Sequence, residues 1–117
     1  MNKFDVFDHK CPARAALDLI SDKWTILIIE ILAEKPRRFL ELQRAIGGIS
    51  KKVLASTLKI LEKNGFIIRE DYSDQLLKVE YSLTPMGASL SAIFIVLTDW
   101  AENNIDAILL AQNDYPN

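Results

Sequence analysis

The 117-residue chain lacks most of what disulfide-rich, metal-binding and membrane proteins require. Its single cysteine excludes an internal disulfide framework and favours a reducing compartment. Its single histidine makes a His/Cys metal site within one chain an unfavourable hypothesis. No apolar run reaches the length of a signal-peptide core or of a membrane span. These absences predict a cytoplasmic protein with no membrane association, no metal and no cofactor.

Catalytic motifs are absent as well. The sequence contains no nucleophile–base pair, no phosphate-binding glycine loop and no carboxylate cluster at a metal-ligand spacing. Half of its residues are hydrophobic and 26% are charged, which is the composition of a globular domain. We therefore expect one binding domain over residues 1–117, and not an enzyme.

The positive charge of this acidic chain is concentrated in one segment. Residues 35–63 hold eight of the 14 Lys and Arg residues against two acidic residues, a net charge of +6. The rest of the chain carries −8, and no lysine or arginine follows Lys78. A polyanion is the expected partner of such a patch.

The basic segment has the pattern of two helices joined by a sharp turn. Gly47-Gly48 supplies the backbone freedom that a reversal needs, and Ser50 is expected to cap the second helix. Asn64-Gly65 is expected to end that helix, because both residue types tolerate the left-handed conformation. The residues expected to be buried are Phe39, Leu42 and Ile46 in the first helix and Leu54, Leu58 and Leu61 in the second.

Two further helices are predicted before the basic segment. Cys11-Pro12 opens the first, and Ser21-Asp22 caps the second, which Pro36 ends. The apolar stripe of the first helix consists of Ala15, Ala16, Leu19 and Ile20. The buried stripe of the second is expected to contain Trp24, Leu27, Ile28, Ile31 and Leu32.

A hairpin and a long helix complete the chain. Residues 66–72 and 76–83 are rich in β-branched and aromatic residues and flank Ser73-Asp74-Gln75, which predicts a β-hairpin. Thr84-Pro85 opens a last helix that reaches about Ala111. This order predicts a mainly helical α+β fold, a winged helix-turn-helix. Its predicted parts are an N-terminal arm (1–10), the helix-turn-helix (39–64), the wing hairpin (66–83) and a dimerisation helix (84–112).

The last helix carries more apolar surface than one small core can cover. We therefore expect it to pack against a second copy of the chain. The residues assigned to this homodimer interface are Leu90, Phe94, Leu97, Trp100, Ile105, Ile108 and Leu109.

Three segments resemble the HxlR family of bacterial winged-helix regulators. They are CPARAALDLISDKWTILII, PRRFLELQRAIGGISKKVLASTLKILEKNGFI and VEYSLTPMGASL, and the match extends from Cys11 to about Trp100. The resemblance implies a homodimeric transcription factor that inserts its second basic helix into the DNA major groove and lays the hairpin alongside. It also implies that the N-terminal cysteine acts as a sensor in some members.

The chain departs from the family pattern in two places. Family wings usually contain prolines between the strands, whereas this wing reads YSDQLLKVEY. After the KVL motif the family often has threonine and a longer polar or basic residue, whereas this chain has Ala55 and Ser56. We therefore expect sparse base contacts and a specificity that depends on DNA shape and half-site spacing.

The second basic helix holds most of the candidate DNA-binding residues. Lys51, Lys52 and Lys59 are assigned to phosphates, because an ammonium is a compact point charge. Ser50 and Ser56 are candidates for phosphate or base edges, and Ala55 for a thymine methyl group. The alternative is a solvated lysine face without a partner.

Four candidates lie outside that helix. Arg37 and Arg38 are expected to hold phosphate beside the first basic helix, the alternative being a solvated loop. Lys23 and Lys78 are weaker candidates for phosphate contacts. Arg69, on the wing among acidic residues, is interpreted as at least as suited to a structural ion pair.

Cys11 is the candidate sensor. It occupies the predicted N-terminal cap of the first helix beside His9, Lys10 and Arg14, and helix N–H groups and cations stabilise a thiolate. We expect the thiol to be partly accessible; the alternative is a buried, inert thiol. Trp24 and Trp100 are interpreted as core or interface residues, the alternative being the wall of a ligand pocket.

Together these features predict a homodimeric, sequence-specific DNA-binding transcriptional regulator. Its expected partner is double-stranded DNA with a pseudo-palindromic operator, and an oxidant or small molecule is the candidate effector. The alternative is a winged-helix module that binds an acidic protein partner without DNA. Affinity for duplex DNA that falls steeply with salt distinguishes the two.

Overall fold

The computed structural model of the protein describes residues 4–72 and 78–116. It is a winged helix-turn-helix: a mainly helical chain with one small antiparallel sheet, as predicted. The elements are α1 (Pro12–Ile20), α2 (Lys23–Glu34), β1 (Arg37–Arg38), α3 (Phe39–Ala45), α4 (Lys51–Lys63), β2 (Ile67–Tyr72), β3 (Lys78–Leu83) and α5 (Pro85–Asp114). Among these described residues, no helix is long and apolar enough to cross a membrane.

Short polar side chains begin three of the helices. The side chains of Asp22, Ser50 and Thr84 accept hydrogen bonds at 3.1 Å from the N–H groups three residues later. Gly48 and Gly65 adopt positive φ angles of 84° and 83°, which lets the chain reverse after α3 and after α4. The predicted starts of α2, α4 and α5 are therefore confirmed.

The sheet contains a strand that the sequence did not indicate. Arg37 and Arg38 form β1, which pairs with Tyr81 and Glu80 of the central strand β3. On its other side β3 pairs with β2, with Ile67 opposite Leu83. The predicted turn at 73–75 and the first two residues of the predicted second strand, 76–77, lie outside the described residues.

The core lies where α2, α4 and the first turns of α5 meet. Leu42, Ile46, Leu54, Leu58 and Leu61 are buried there as predicted, whereas Phe39 is only partly buried. The expected stripe of α2 needs correction. Ile28 and Leu32 are buried, but Thr25 and Ile29 replace Trp24, Leu27 and Ile31, which are partly exposed. The buried face is rotated because α4, β3 and α5 all contact α2.

Helix α1 contributes no buried residue to the protomer. Ala15 and Ala16 of its predicted apolar stripe are exposed, and Leu19 and Ile20 are partly exposed. An amphipathic helix gains little by forming unless its apolar face is covered. The apolar face of α1 is therefore largely uncovered in the protomer.

The start of α5 is fixed to the end of α4. The Thr84 hydroxyl donates to the Gly65 carbonyl at 2.6 Å, and the Thr84 N–H donates to the Phe66 carbonyl at 3.1 Å. Gly87, one turn into α5, lies directly against the same Phe66 carbonyl. These contacts set the angle at which α5 leaves the body.

The C-terminal part of α5, beyond Glu102, extends away from the body. The 30 residues of α5 span about 45 Å at 1.5 Å per residue. The radius of gyration of the chain is 17.2 Å, whereas a compact domain of this length has about 13 Å. Leu90 and Phe94 belong to the core of the protomer, which corrects their assignment to a dimer interface. No residue of α5 after Phe94 is buried.

Candidate nucleic-acid interface

Helix α4 has two chemically different faces. Leu54, Leu58 and Leu61 anchor one face in the core together with Thr57. The opposite face is exposed and carries the residues predicted to bind DNA: Lys51, Lys52, Ala55, Ser56 and Lys59. The geometry therefore brings these five candidates onto one solvent-facing surface, here called the lysine face.

The two serines of this region differ in what they can offer a ligand. The Ser50 hydroxyl oxygen accepts from the Val53 N–H at 3.1 Å, so its hydrogen is still available for a phosphate oxygen. The Ser56 hydroxyl donates to the Val53 carbonyl at 3.1 Å. Ser56 in this rotamer is therefore an acceptor, suited to a base amino group rather than to a phosphate.

Helix α3 presents two exposed arginines. Arg38 immediately precedes the helix, and its N–H donates to Glu41 Oε1 at 2.8 Å. This hydrogen bond and the charge of nearby arginines and Lys35 lower the pKa of Glu41. The Glu41 carboxylate thus occupies the helix start that was expected to receive phosphate. Arg38 and Arg44 line a shallow depression beside it. From the sequence, Arg44 contributed to the net charge of residues 35–63 but was not a candidate DNA-binding residue.

The side chain of Arg37 is not available to bind DNA, which corrects its assignment as a DNA-binding residue. Its guanidinium donates to Glu34 Oε1 at 2.6 Å, and its side chain is 15% exposed. The cause is the short strand β1, which pairs Arg37 with Tyr81 and places its side chain beside the end of α2. The Arg37 Nε group is buried with no hydrogen-bond partner within the described structure.

Lys23 lies apart from the lysine face. Its ammonium group lies 4.4 Å from the centroid of the Trp24 ring, a cation–π contact. It also lines a depression with Leu97 and Ala101 of α5, to which α4 contributes no residue. The structure thus groups Lys23 with α5.

The wing adds a cation that was not among the candidates. Arg69 of β2 lines a groove of about 400 Å³ between α4 and the sheet, together with Ala55 and Lys59. Among the described residues Arg69 forms no ion pair, so the structural ion pair considered for it is not observed there. In the sequence, the adjacent acidic residues Glu70 and Asp71 made Arg69 a poor candidate for binding DNA. The side chain of Lys78 lies outside the described part.

Cys11 is more buried than expected. It occupies the N-terminal cap position of α1, and its side chain is 9% exposed, which contradicts the predicted partial accessibility. The arm of residues 4–10 lies beside it: the Cys11 N–H donates to the Asp8 carbonyl at 2.9 Å, and Asp5, Asp8 and Lys10 line a small cavity together with Cys11. Arg14 is directed at the carbonyl of Phe7, 3.3 Å away.

The chain is similar to known helix-turn-helix regulators. The model of the HxlR-like helix-turn-helix family matches residues 19–108. The sequence is 39% identical over 110 residues to YtfH of Escherichia coli, an HTH-type transcriptional regulator, covering 94% of this chain and 87% of YtfH. The solved structure of the ytfH transcriptional regulator from Salmonella typhimurium matches with a TM-score of 0.86 and 37% identity, covering 95% of this chain and 99% of that one.

A further similar structure is the reduced form of YodB, a transcriptional regulator of Bacillus subtilis. It matches with a TM-score of 0.68 and 37% identity, covering 78% of this chain and 89% of that one. YodB has also been solved with bound quinone and after diamide treatment.

Proposed function

The chain belongs to the HxlR-like helix-turn-helix family and is a DNA-binding transcriptional regulator, and we propose that it binds its operator as a homodimer through the lysine face of α4. The observation that carries the proposal is the two-faced α4, anchored by leucines on one side and cationic on the other. Lys51, Lys52 and Lys59 would contact phosphates as α4 enters the major groove. Ser56 and Ala55 would face base edges.

Arg38, Arg44 and Arg69 extend this surface in the proposal. Arg38 precedes α3, Arg44 lies in the last turn of α3, and Arg69 and Lys59 both line the groove between α4 and the wing. All three are exposed, and guanidinium groups bind phosphate oxygens in a bidentate manner. They would position the regulator on the backbone without reading sequence.

The apolar surface of α5 supports a homodimer. Ile93, Val96 and Trp100 are 64%, 69% and 57% exposed, and Leu97, Ile105, Ile108 and Leu109 are also exposed. Monomeric proteins rarely expose contiguous apolar surface of this kind. Helix α1 offers a second uncovered apolar face. A two-fold dimer built on these helices would present two α4 helices to a pseudo-palindromic operator, about one helical turn of DNA apart.

Replacing Lys59 with alanine tests the lysine face. In a dimer the substitution removes two phosphate contacts, so the slope of log affinity against log salt should flatten by about 2. At moderate salt the affinity should fall roughly tenfold, and equally for specific and unrelated duplexes. Fluorescence anisotropy with labelled duplexes at several salt concentrations measures both quantities.

The matched control is Lys10→Ala, which removes an exposed lysine from the N-terminal arm. Its salt slope should stay at the wild-type value. An unchanged slope for Lys59→Ala would rule out this docking. Absence of any duplex binding by the wild type at low salt would instead favour the acidic-partner module.

Cys11 is proposed as a sensor of oxidants or electrophiles. This role is supported by the similar regulator YodB, which has been solved in quinone-bound and diamide-treated forms. Cys11 occupies the N-terminal cap position of α1, and its side chain forms no capping hydrogen bond there. Because the thiol is 9% exposed, reaction would require the arm of residues 4–10 to move aside.

Alkylation by iodoacetamide at neutral pH tests the sensor role. We expect Cys11 in the folded protein to react faster than in the urea-unfolded chain once the arm of residues 4–10 moves aside, because a sensor thiol must react faster than an ordinary cysteine. Mass spectrometry gives both rates. Cys11→Ser should keep DNA binding but lose any response to diamide. A folded-state rate no faster than the unfolded one would refute the role.

A further inference from the structure

A cavity of about 520 Å³ lies between α2, the turn that precedes α4, and the middle of α5. Its volume falls within the range of small-molecule sites, which is roughly 300–1,000 Å³. The apolar part of its wall is formed by Leu27 and Ile31 of α2, Ile46 of the turn and Ile95 of α5. A ligand with an apolar body fits such a wall.

The polar part of the wall is acidic. Glu30, Glu34, Asp99 and Glu102 line the cavity, and within the described part of the chain no lysine or arginine does. Glu34 is already paired with Arg37. The other three carboxylates form no ion pair among the described residues, so they give the cavity a negative potential that attracts cations.

Glu30 is the most buried of these four acidic residues. One carboxylate oxygen, Oε1, accepts a hydrogen bond from the Thr98 hydroxyl of α5 at 2.8 Å. The other oxygen, Oε2, is shielded from solvent and has no hydrogen-bond partner among the residues that the structure describes. An unpaired buried carboxylate oxygen is costly, and a cation nearby reduces that cost.

We propose that this cavity binds an amphipathic organic cation, an amine with an aryl or branched alkyl body, as an effector of the regulator. The apolar body would pack on Leu27, Ile31 and Ile95, and the ammonium group would lie near Glu30 and Asp99. A metal ion is a poor occupant, because within residues 4–72 and 78–116 no three His, Cys, Asp or Glu side chains converge closely enough to hold one.

The position of the cavity couples it to the DNA-binding surface. Ile46 and Gly47 belong to the turn that sets the start of α4, and they line the cavity opposite α5. The Glu34–Arg37 ion pair connects its rim to β1, which leads directly into α3. An occupant would thus contact both the proposed dimer helix and the turn before α4. This effector role rests on the proposed DNA-binding function.

A charge series on one apolar body tests the chemistry of the site. The probes are 4-tert-butylbenzylamine, the corresponding neutral alcohol and the corresponding benzoate, titrated into the full-length protein. Methyl NMR spectra should show saturable shifts of Ile31, Ile46 and Ile95 with the amine, and none at Ile67, which lies elsewhere in the core. The alcohol should bind at least tenfold more weakly, and the benzoate should not bind.

Matched variants assign the binding to the cavity. Glu30→Gln, and separately the exposed Asp99→Asn, should weaken amine binding about tenfold, whereas Asp106→Asn, which removes a charge from α5 outside the cavity, should not change it. Equal affinity for amine and alcohol, or equal effects of Asp106→Asn and Asp99→Asn, would overturn the site.

The effector role has its own measurement. Saturating amine should change the affinity of the wild type for duplex DNA at least threefold, and Glu30→Gln should need about ten times more amine to reach the same change. Unchanged DNA affinity of the wild type would overturn the effector role. DNA binding without amine tests the regulator function separately, so the two failures are distinguishable.

Discussion

Gly87→Ala is expected to lower the melting temperature by roughly 10 °C or more. A Cβ atom at position 87 would overlap with the Phe66 carbonyl oxygen and would lie 3.1 Å from the Phe66 carbonyl carbon. Alanine in a helix interior normally stabilises by about 1 kcal/mol relative to glycine, so the sign of the change is diagnostic. The clash must overcome that gain, and differential scanning calorimetry measures the outcome.

The clash is severe because its partner is backbone. The Phe66 carbonyl already accepts the Thr84 N–H, and the Thr84 hydroxyl binds the carbonyl of Gly65. The overlap can be relieved only if α5 moves away from the turn after α4, which breaks these bonds. Overpacking by a single methyl group costs about 1–3 kcal/mol when side chains can adjust, and more when they cannot. A net loss of about 3 kcal/mol follows, which corresponds to the stated temperature shift.

Gly47→Ala is the matched control for this substitution. Gly47 has open space around its Cβ position and no positive φ, so alanine should change the free energy of unfolding by less than about 0.5 kcal/mol. If Gly87→Ala melts at or above the wild-type temperature, the tight contact between α5 and Phe66 does not exist in solution.

Local chemistry explains which features the sequence predicted well. A capping side chain binds a backbone N–H three residues away, so Asp22, Ser50 and Thr84 could be identified without tertiary information. Burial of Leu54 and Leu58 followed from helical spacing for the same reason. The lysine face followed in turn, because anchoring one side of α4 exposes the other.

Features that depend on distant segments were missed. Strand β1 has two residues and forms only because β3 pairs with it. No local sequence pattern therefore predicted the hydrogen bond between Arg37 and Glu34. Burial of Cys11 depends on how the arm folds over it. In the same way, hydrophobicity alone could not tell whether Leu90 and Phe94 face their own core or a second copy, since both environments favour apolar side chains.

Ile105→Glu combined with Leu109→Glu is expected to convert the proposed dimer into monomers. The two side chains lie one turn apart on α5, are 46% and 49% exposed, and are outside the core of the protomer. A two-fold dimer contains each substitution twice, and no lysine or arginine after Lys78 is available to compensate the new carboxylates. The dimer loses four apolar side chains, and a loss of about 1.5 kcal/mol for each should weaken association roughly 10⁴-fold. Sedimentation equilibrium measures this change.

Asn103→Glu provides the control, because it adds the same charge to the same helix at an exposed polar position and should leave the dimer intact. The monomeric variant should keep the helical circular dichroism of the wild type, since neither substituted side chain supports the protomer core. It should bind duplex DNA weakly, because only one α4 remains to engage the operator. A double variant that still sediments as a dimer would exclude this part of α5 from the interface, and a monomeric wild type would exclude the dimer itself.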